Sequence, residues 1–252
     1  MTRRKQKNSG HYAPTDSDAK LLKKKFSPKD LVSYSPKNER QNAFVQLFKD
    51  GNPCIIMDGM PAVGKTFLAL IEALRLVLDS STHYEKVVYI RSAVASGQDV
   101  GFLKGTLEEK QAPYEEVPRQ TVARIMEKYD NPYPTLVSLG QFEFRLDTHL
   151  RGINITNSIV VIDEAQCMDY ATLKTILTRI DTGTRVIICG DEGQDDLKRI
   201  RKKSGLAHLK KVLHNMPYGS YGHVTFTTDD IVRGDGFTKD FIISDFEISD
   251  SE

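Results

Sequence analysis

"PCIIMDGMPAVGKTFLAL", residues 53–70, decides the fold. An apolar run leads straight into Gly59, and a run of good helix formers begins at Lys65. Between them, Gly59, Gly64, Lys65 and Thr66 satisfy G-x-x-x-x-G-K-[ST]. In that pattern backbone N–H groups wrap phosphate oxygens, the Lys meets the outer phosphates and the hydroxyl holds Mg²⁺. The stretch has two readings, a phosphate cradle or a glycine-containing turn before an apolar helix. A strand before the loop and a helix after it are the context a cradle requires, and a chance match seldom has both. Gly59, Met60, Pro61, Ala62, Val63, Gly64, Lys65 and Thr66 are therefore read as the nucleotide site, with Lys65 neutralising the β and γ phosphates and Thr66 ligating Mg²⁺.

Three further apolar runs resemble buried parallel strands: "KVVYIRSA" (86–93), "SIVVIDEA" (158–165) and "TRVIICGD" (184–191). Thr66–Leu78 is apolar almost all round, as in a helix packed between a sheet and its neighbours. Tyr170–Ile180 carries Leu173, Ile176, Leu177 and Ile180 on one stripe, and Ala43, Phe44, Leu47 and Phe48 recur at helical spacing before Gly51. Strand, helix, strand implies right-handed crossovers and a mainly parallel sheet flanked by helices, an α/β fold. Residues 94–157 read as an insertion with its own structure, in which Pro113, Pro118, Pro132 and Pro134 are expected to break any long helix. "TLVSLGQFEF" (135–144) is a candidate added strand, and "HVTFTTDDIVRG" (223–234) supplies a late one.

At 252 residues the chain can bury a core without disulfide or metal staples. A net charge of +1 is not that of a uniformly basic nucleic-acid binder, so any such binding must come from local patches. Residues 1–30 hold nine Lys/Arg against three Asp, and residues 245–252 hold four acids and no base. Residues 1–26 are read as a basic flexible tail, 27–244 as one domain and 245–252 as an acidic tail. The basic segment is an electrostatic handle for RNA, DNA or a partner, or a solubilising tail without one. Cys54, Cys167 and Cys189 lie in or beside strand-like runs, as buried thiols of a reducing cytoplasm would. No run approaches the ~18 apolar residues that a membrane span needs.

Two more strand ends carry chemistry. In "VVIDEAQ" (160–166) acids appear at the C-terminal edge of a strand, where open α/β sheets bind ligands. Asp163 is placed to hold Mg²⁺, directly or through water, and Glu164 to act as base or orienter for an attacking water. A helix N-terminus that favours acids is the alternative. In "IICGDEGQDDL" (187–197), Gln194 could sense a γ-phosphate by hydrogen bonding, or the segment is a simple turn rich in Gly and Asp. Phosphoryl transfer also gains from a free Arg, for which Arg179 and Arg233 are candidates, each equally able to make a surface ion pair.

With these motifs aligned, the chain from about Lys37 to Phe241 resembles the PhoH-like ATPases, a phosphate-starvation-inducible family of bacteria and bacteriophages. The resemblance also rests on "RSAVASGQDVGFLKGTLEEKQAPY" (91–114), "LRGINITNSIVVIDEAQ" (150–166), "LKTILTRIDTGTRVIICGDEGQDDL" (173–197) and "DDIVRG" (229–234). It departs from the family where "CMDY" follows DEAQ and where Lys104 replaces a proline. The resemblance implies a RecA-like P-loop NTPase core related to superfamily-one helicases, ATP with Mg²⁺, and a homo-oligomeric ring, expected to be a hexamer. It assigns Gln194 to the γ-phosphate sensor and Gln41 to reading adenine, with a helix-surface glutamine as the alternative for Gln41. It makes Arg233 the arginine finger, supplied across a subunit boundary, and puts Arg91 and Arg151 near nucleic acid or between motifs. The short core with its basic leader, with no nuclease-like domain before it, suggests a phage-type stand-alone form in the bacterial or infected-host cytoplasm.

The leading expectation is an ATP hydrolase coupled to single-stranded RNA or DNA, a helicase-like motor with channel loops from residues 94–157. Lys104 and Lys110 could touch backbone phosphates there, although Glu108, Glu109, Glu115 and Glu116 lie nearby. The second expectation is an ATP-controlled protein-remodelling or regulatory scaffold without a nucleic-acid substrate. A small-molecule kinase is disfavoured, because the Asp163–Glu164 pair suits water activation.

Overall fold

A computed structural model describes residues 26–93, 107–150, 152–193, 204–217, 219–234 and 236–249. The apolar runs become strands β1 (Cys54–Gly59), β2 (Lys86–Arg91), β3 (Phe142–Leu146), β4 (Ser158–Asp163), β5 (Arg185–Cys189) and β6 (Gly222–Phe226). They form one six-stranded sheet in the order β3-β2-β4-β5-β1-β6. Every pairing is parallel. Alternate side chains feed two cores, which is why these strands read as continuous apolar runs. On β1, Ile55 and Met57 join one core and Ile56 the other. Strand β4 is buried at all six positions.

The described helices are α1 (Glu39–Lys49), α2 (Lys65–Val77), α3 (Leu107–Ile125), α4 (Pro132–Ser138), α5 (Tyr170–Leu177), α6 (Leu206–His214) and α7 (Phe237–Ser249). Helices α1 to α4 cover the first face through Phe44, Phe48, Leu68, Ile71, Val122 and Tyr133, among others. Helices α5 and α6 cover the second through Leu173, Ile176, Leu206 and Leu209. The molecule is thus a three-layer α/β/α sandwich, as the sequence implies. Asn38 caps α1 by accepting from Gln41 N–H at 2.8 Å, and Asp169 caps α5 by accepting from Thr172 N–H at 2.8 Å. Helix α2 lacks such a side-chain cap.

The segment between β2 and β4 differs from its sequence reading. Helix α3 continues through Pro113 and Pro118 instead of breaking there. An interior proline costs about 3 kcal/mol through a lost N–H and a clash, but packing can offset it. Val122 and Ile125 are fully buried, and the Tyr114 hydroxyl donates to Ala93 O at 3.0 Å. Residues 135–144 are not one strand, because Thr135–Ser138 belongs to α4 and the chain turns at Gly140 (φ +69°) before β3. The segment thereby contributes the edge strand of the main sheet.

Helix α7 runs past residue 244, where the sequence reading begins the acidic tail, to Ser249. Its Ile242 and Ile243 pack on the first core, while Phe237 and Phe241 are 82% and 60% exposed with rings 6.2 Å apart. Cys54, Cys167 and Cys189 are free thiols, the last two buried. No described helix is long and apolar enough to cross a membrane.

Candidate active site

The loop between β1 and α2 is shaped by its glycines. Gly59 has φ +106°, and a Cβ there would lie 2.1 Å from Phe226 O on β6. Only glycine tolerates both that dihedral and that approach. Gly64 has φ +90° and sits at the start of α2 without a side-chain cap. The first N–H groups of α2 are consequently left to an external acceptor, and the helix dipole favours an anion there. Ala62 is also left-handed, at φ +61°. Its carbonyl accepts from Val232 N–H at 3.1 Å and Arg233 N–H at 3.0 Å, which holds the strained residue in place.

Lys65 donates to Met60 O at 2.7 Å and to Gly59 O, so its ammonium lies along the loop whose shape the phosphates would follow. Gln41 is buried, with Nε2 donating to Val63 O at 2.9 Å and Oε1 accepting from Lys37 N–H at 2.8 Å. The helix-surface alternative for Gln41 is therefore wrong: the side chain braces the phosphate loop from behind.

Thr66, in the first turn of α2, reaches β4. Its hydroxyl is 3.2 and 3.1 Å from the two Asp163 carboxylate oxygens. The Tyr89 hydroxyl on β2 donates to Asp163 Oδ2. Among the described residues, no group of three or more His, Cys, Asp or Glu could hold a metal ion. One hydroxyl and one carboxylate suit a hard cation that completes its coordination with phosphate and water oxygens, so these residues fit Mg²⁺ arriving with a nucleotide.

Glu164 follows at φ +53°, a strained conformation that turns its side chain away from the strand line. Its Oε2 accepts from Gln166 Nε2 at 2.6 Å, and its Oε1 is 3.7 Å from Arg91 NH2. Burial, and after it the charge of Asp163, raises the Glu164 pKa, while Gln166, Arg91 and Lys65 act the other way. A carboxylate so raised is a stronger base, which suits proton abstraction from water.

Gln166, to which the sequence reading gave no role, ties the second motif to the third. Its Oε1 accepts from Asp191 N–H at 3.1 Å just beyond β5. Asp191 in turn accepts from Gly193 N–H at 3.0 Å. Glu192 N–H reaches Asp58 Oδ1 at 3.3 Å, and Lys210 on α6 bridges Asp58 and Glu192 at 2.6 and 3.1 Å. An amide two residues after Glu164, in the DEAQ segment, was the sequence signal for Gln166. Tyr89 and Lys210 had none, because their partners lie far away in the chain.

Gln194 and Arg151 lie outside the described residues, as does Lys104. Arg91 sits between motifs, beside Glu164. Arg233 is exposed, and no described side chain pairs with its guanidinium, while its main chain rests on the phosphate loop of its own chain. Arg179 is elsewhere: its carbonyl accepts from Ile155 N–H at 2.8 Å, ahead of the first residue of β4. That is the N-terminal edge of the sheet, opposite Asp163, so Arg179 cannot serve the phosphate loop of its own chain.

Comparison with known proteins identifies the family. Residues 33–242 match the family described as "PhoH-like protein". The chain is 30% identical over 200 residues to the PhoH2 protein of Mycolicibacterium smegmatis, covering 78% of this chain and 44% of that one. It is 32% identical over 182 residues to a PhoH-like protein of Synechocystis sp., covering 71% and 53% respectively. The chain thus spans about half the length of the curated relatives it matches. Among solved structures it is similar to the large terminase of a thermophilic bacteriophage in complex with ADP, with a TM-score of 0.41 and 15% identity over 77% of this chain and 46% of that one. By the match that spans most of its length, and by the phosphate loop, DEAQ and GDEGQ segments inside it, the chain belongs to the PhoH-like family.

Proposed function

We propose that the chain is a Mg²⁺-dependent ATP hydrolase that works as a homo-oligomeric ring, a hexamer, and couples its cycle to single-stranded RNA or DNA. The carrying observation is the convergence of the uncapped α2 N-terminus, Lys65, the Thr66–Asp163 pair and Glu164 at one end of the sheet. The N–H groups of the loop and Lys65 bind and orient the phosphates. Thr66 and Asp163 hold the cation, which would neutralise charge developing on the transferred phosphoryl group. Glu164 orients a water and takes its proton. Gln166 links that base to the Asp191 backbone just beyond β5, so a change there can alter the set of Glu164, while the γ-phosphate sensing by Gln194 rests on the family resemblance.

Arg233 stabilises transition-state charge in this scheme. Its main chain is attached to the phosphate loop of its own chain, while its supply across a subunit boundary rests on the family resemblance. By the family resemblance Gln41 reads adenine, and its side chain also braces the phosphate loop. The family match and the phosphate loop support nucleotide chemistry, while ring assembly and nucleic-acid coupling rest on the family resemblance.

One observation favours a second reading, an ATP-controlled remodelling or regulatory scaffold. The exposed Phe237 and Phe241 stand on α7, just after Val232 and Arg233, which bond to the phosphate loop. Exposed aromatics suit a protein partner better than a phosphate backbone. Phosphate release from Mg²⁺–ATP, with and without single-stranded RNA or DNA, separates the two. Stimulation by either polymer, absent in Glu164→Gln, supports the motor. Release indifferent to both polymers removes that coupling and leaves the scaffold reading.

A further inference from the structure

Both acids at the end of β4 are held by the neighbouring strand. Parallel pairing sets Tyr89 opposite Val161 and Arg91 opposite Asp163. From there Tyr89 donates to Asp163 Oδ2, and Arg91 approaches Glu164. The two contacts differ in kind. Arg91 stands 3.7 Å from its carboxylate, and its Nε is buried without a partner among the described residues. Tyr89, in contrast, is completely buried and its hydroxyl bonds directly to the carboxylate.

The ring of Tyr89 has little freedom. It stacks on Phe142 and Phe144 of the edge strand β3, with centroids 6.3 and 6.1 Å away. Asp163 is itself 4% exposed, and Thr66 is its other described hydroxyl partner. Were Thr66 to give its oxygen to a cation, that donor would be withdrawn from Asp163. Among the described residues Tyr89 would then remain as the side-chain donor to the carboxylate.

We propose that Tyr89 is a positioning residue for the metal site: it orients Asp163 toward Thr66. The inference rests on the nucleotide reading of the phosphate loop and adds a residue that the motifs do not contain. A partner that orients a metal-binding carboxylate typically changes metal affinity by about 10–100-fold when removed. The aromatic wall explains why a tyrosine can do this from a strand interior: β3 locks the ring, so the hydroxyl arrives with little rotamer entropy left to lose.

The test is Tyr89→Phe, which removes one oxygen and keeps the ring between Phe142 and Phe144. Mn²⁺ affinity of the ADP-saturated protein is measured by electron paramagnetic resonance, beside ADP affinity without metal. The expected result is Mn²⁺ binding weakened about tenfold with metal-free ADP affinity unchanged. Unchanged Mn²⁺ affinity overturns the inference, and equal losses of both affinities reduce Tyr89 to a packing residue. If wild type binds no ADP, the nucleotide reading fails and this inference falls with it. If wild type binds Mn²⁺–ADP but Tyr89→Phe does so equally well, only this inference fails. A second measurement does not depend on the folding of the variant. In wild type labelled with ¹³Cζ-tyrosine, one buried-tyrosine resonance should shift when Mg²⁺ is added to the ADP-bound protein. No such shift overturns the inference.

Discussion

Replacing Gly59 and Gly64 by alanine, one at a time, separates backbone strain from steric collision in the phosphate loop. Both residues have left-handed dihedrals, φ +106° and +90°, so each alanine incurs a strain of roughly 1–2 kcal/mol. Their surroundings differ. A Cβ at Gly64 meets nothing closer than Gln41 Nε2 at 3.5 Å and Val232 Cγ2 at 3.8 Å, both ordinary contacts. At Gly59 it would lie 2.1 Å from Phe226 O and 3.0 Å from Phe226 C and N, so β1 and β6 must separate. Overpacking of this kind adds about 1–3 kcal/mol. The restriction of the unfolded chain by alanine, about 0.4–1 kcal/mol, is common to both variants and cancels in their difference. Gly59→Ala should therefore unfold about 1–3 kcal/mol more easily than Gly64→Ala, a gap of roughly 0.5–1.5 M in urea midpoint for a slope of about 2 kcal/mol/M. Gly64→Ala at least as unstable as Gly59→Ala would refute the close approach of β6 to the loop.

Other substitutions probe the frame around the site. Asn38→Ala removes the α1 cap that accepts from Gln41 N–H at 2.8 Å, along with the Asn38 Nδ2 donation to Asp230 O at 3.3 Å, and should cost about 1 kcal/mol or more in urea unfolding. Arg185 donates to Phe48 O at 2.7 Å and Asn52 O at 3.0 Å, with its guanidinium 4.0 Å from the Phe48 ring centroid. Arg185→Met should lose about 1.5–3 kcal/mol by the same assay, and a loss within error of zero would contradict those bonds. The Tyr129 hydroxyl, followed by Ser27 N–H, holds the Asp30 carboxyl below its ordinary value of 3.8. A lowered carboxyl adds stability above its unfolded value that is lost as pH falls through the folded one. Asp30→Asn should accordingly be less stable than wild type at pH 6, with the gap closing in acid below the ordinary Asp value. A gap that stays constant with pH would rule out the ionised carboxylate as its source.

Much of the fold was legible because a parallel sheet writes itself as short apolar runs with helices between. The runs at 53–59, 86–93, 158–165 and 184–191 each contain one strand. The late strand carries an alternating pattern, with Val224 and Phe226 turned inward, and was legible for that reason. The segment between β2 and β4 was less so. Its prolines argue locally against a helix, yet Val122, Ile125 and Met126 bury completely on the first core, and tertiary packing prevails. Helix α4 and strand β3 share a stretch whose apolar residues fit either period, and only Gly140 marks the change.

At the site, local spacing revealed the loop, Thr66 and the two acids. Contacts across the sheet were not visible from sequence. The Tyr89–Asp163 bond spans 74 positions and the Lys210–Asp58 bond 152, so neither leaves a short motif. The placing of Arg179 at the wrong edge shows the same limit. An arginine near a motif in sequence can sit a full strand length from it in space.

The most direct measurement pairs ADP binding with phosphate release from Mg²⁺–ATP for wild type, Lys65→Ala and Glu164→Gln. Wild type should bind and turn over. Lys65→Ala should lose most of its affinity, and Glu164→Gln should bind nearly as wild type while release falls by at least about 10²-fold. Glu164→Gln turning over at the wild-type rate, or wild type failing to bind, would contradict the assignment of this loop and these acids to nucleotide hydrolysis.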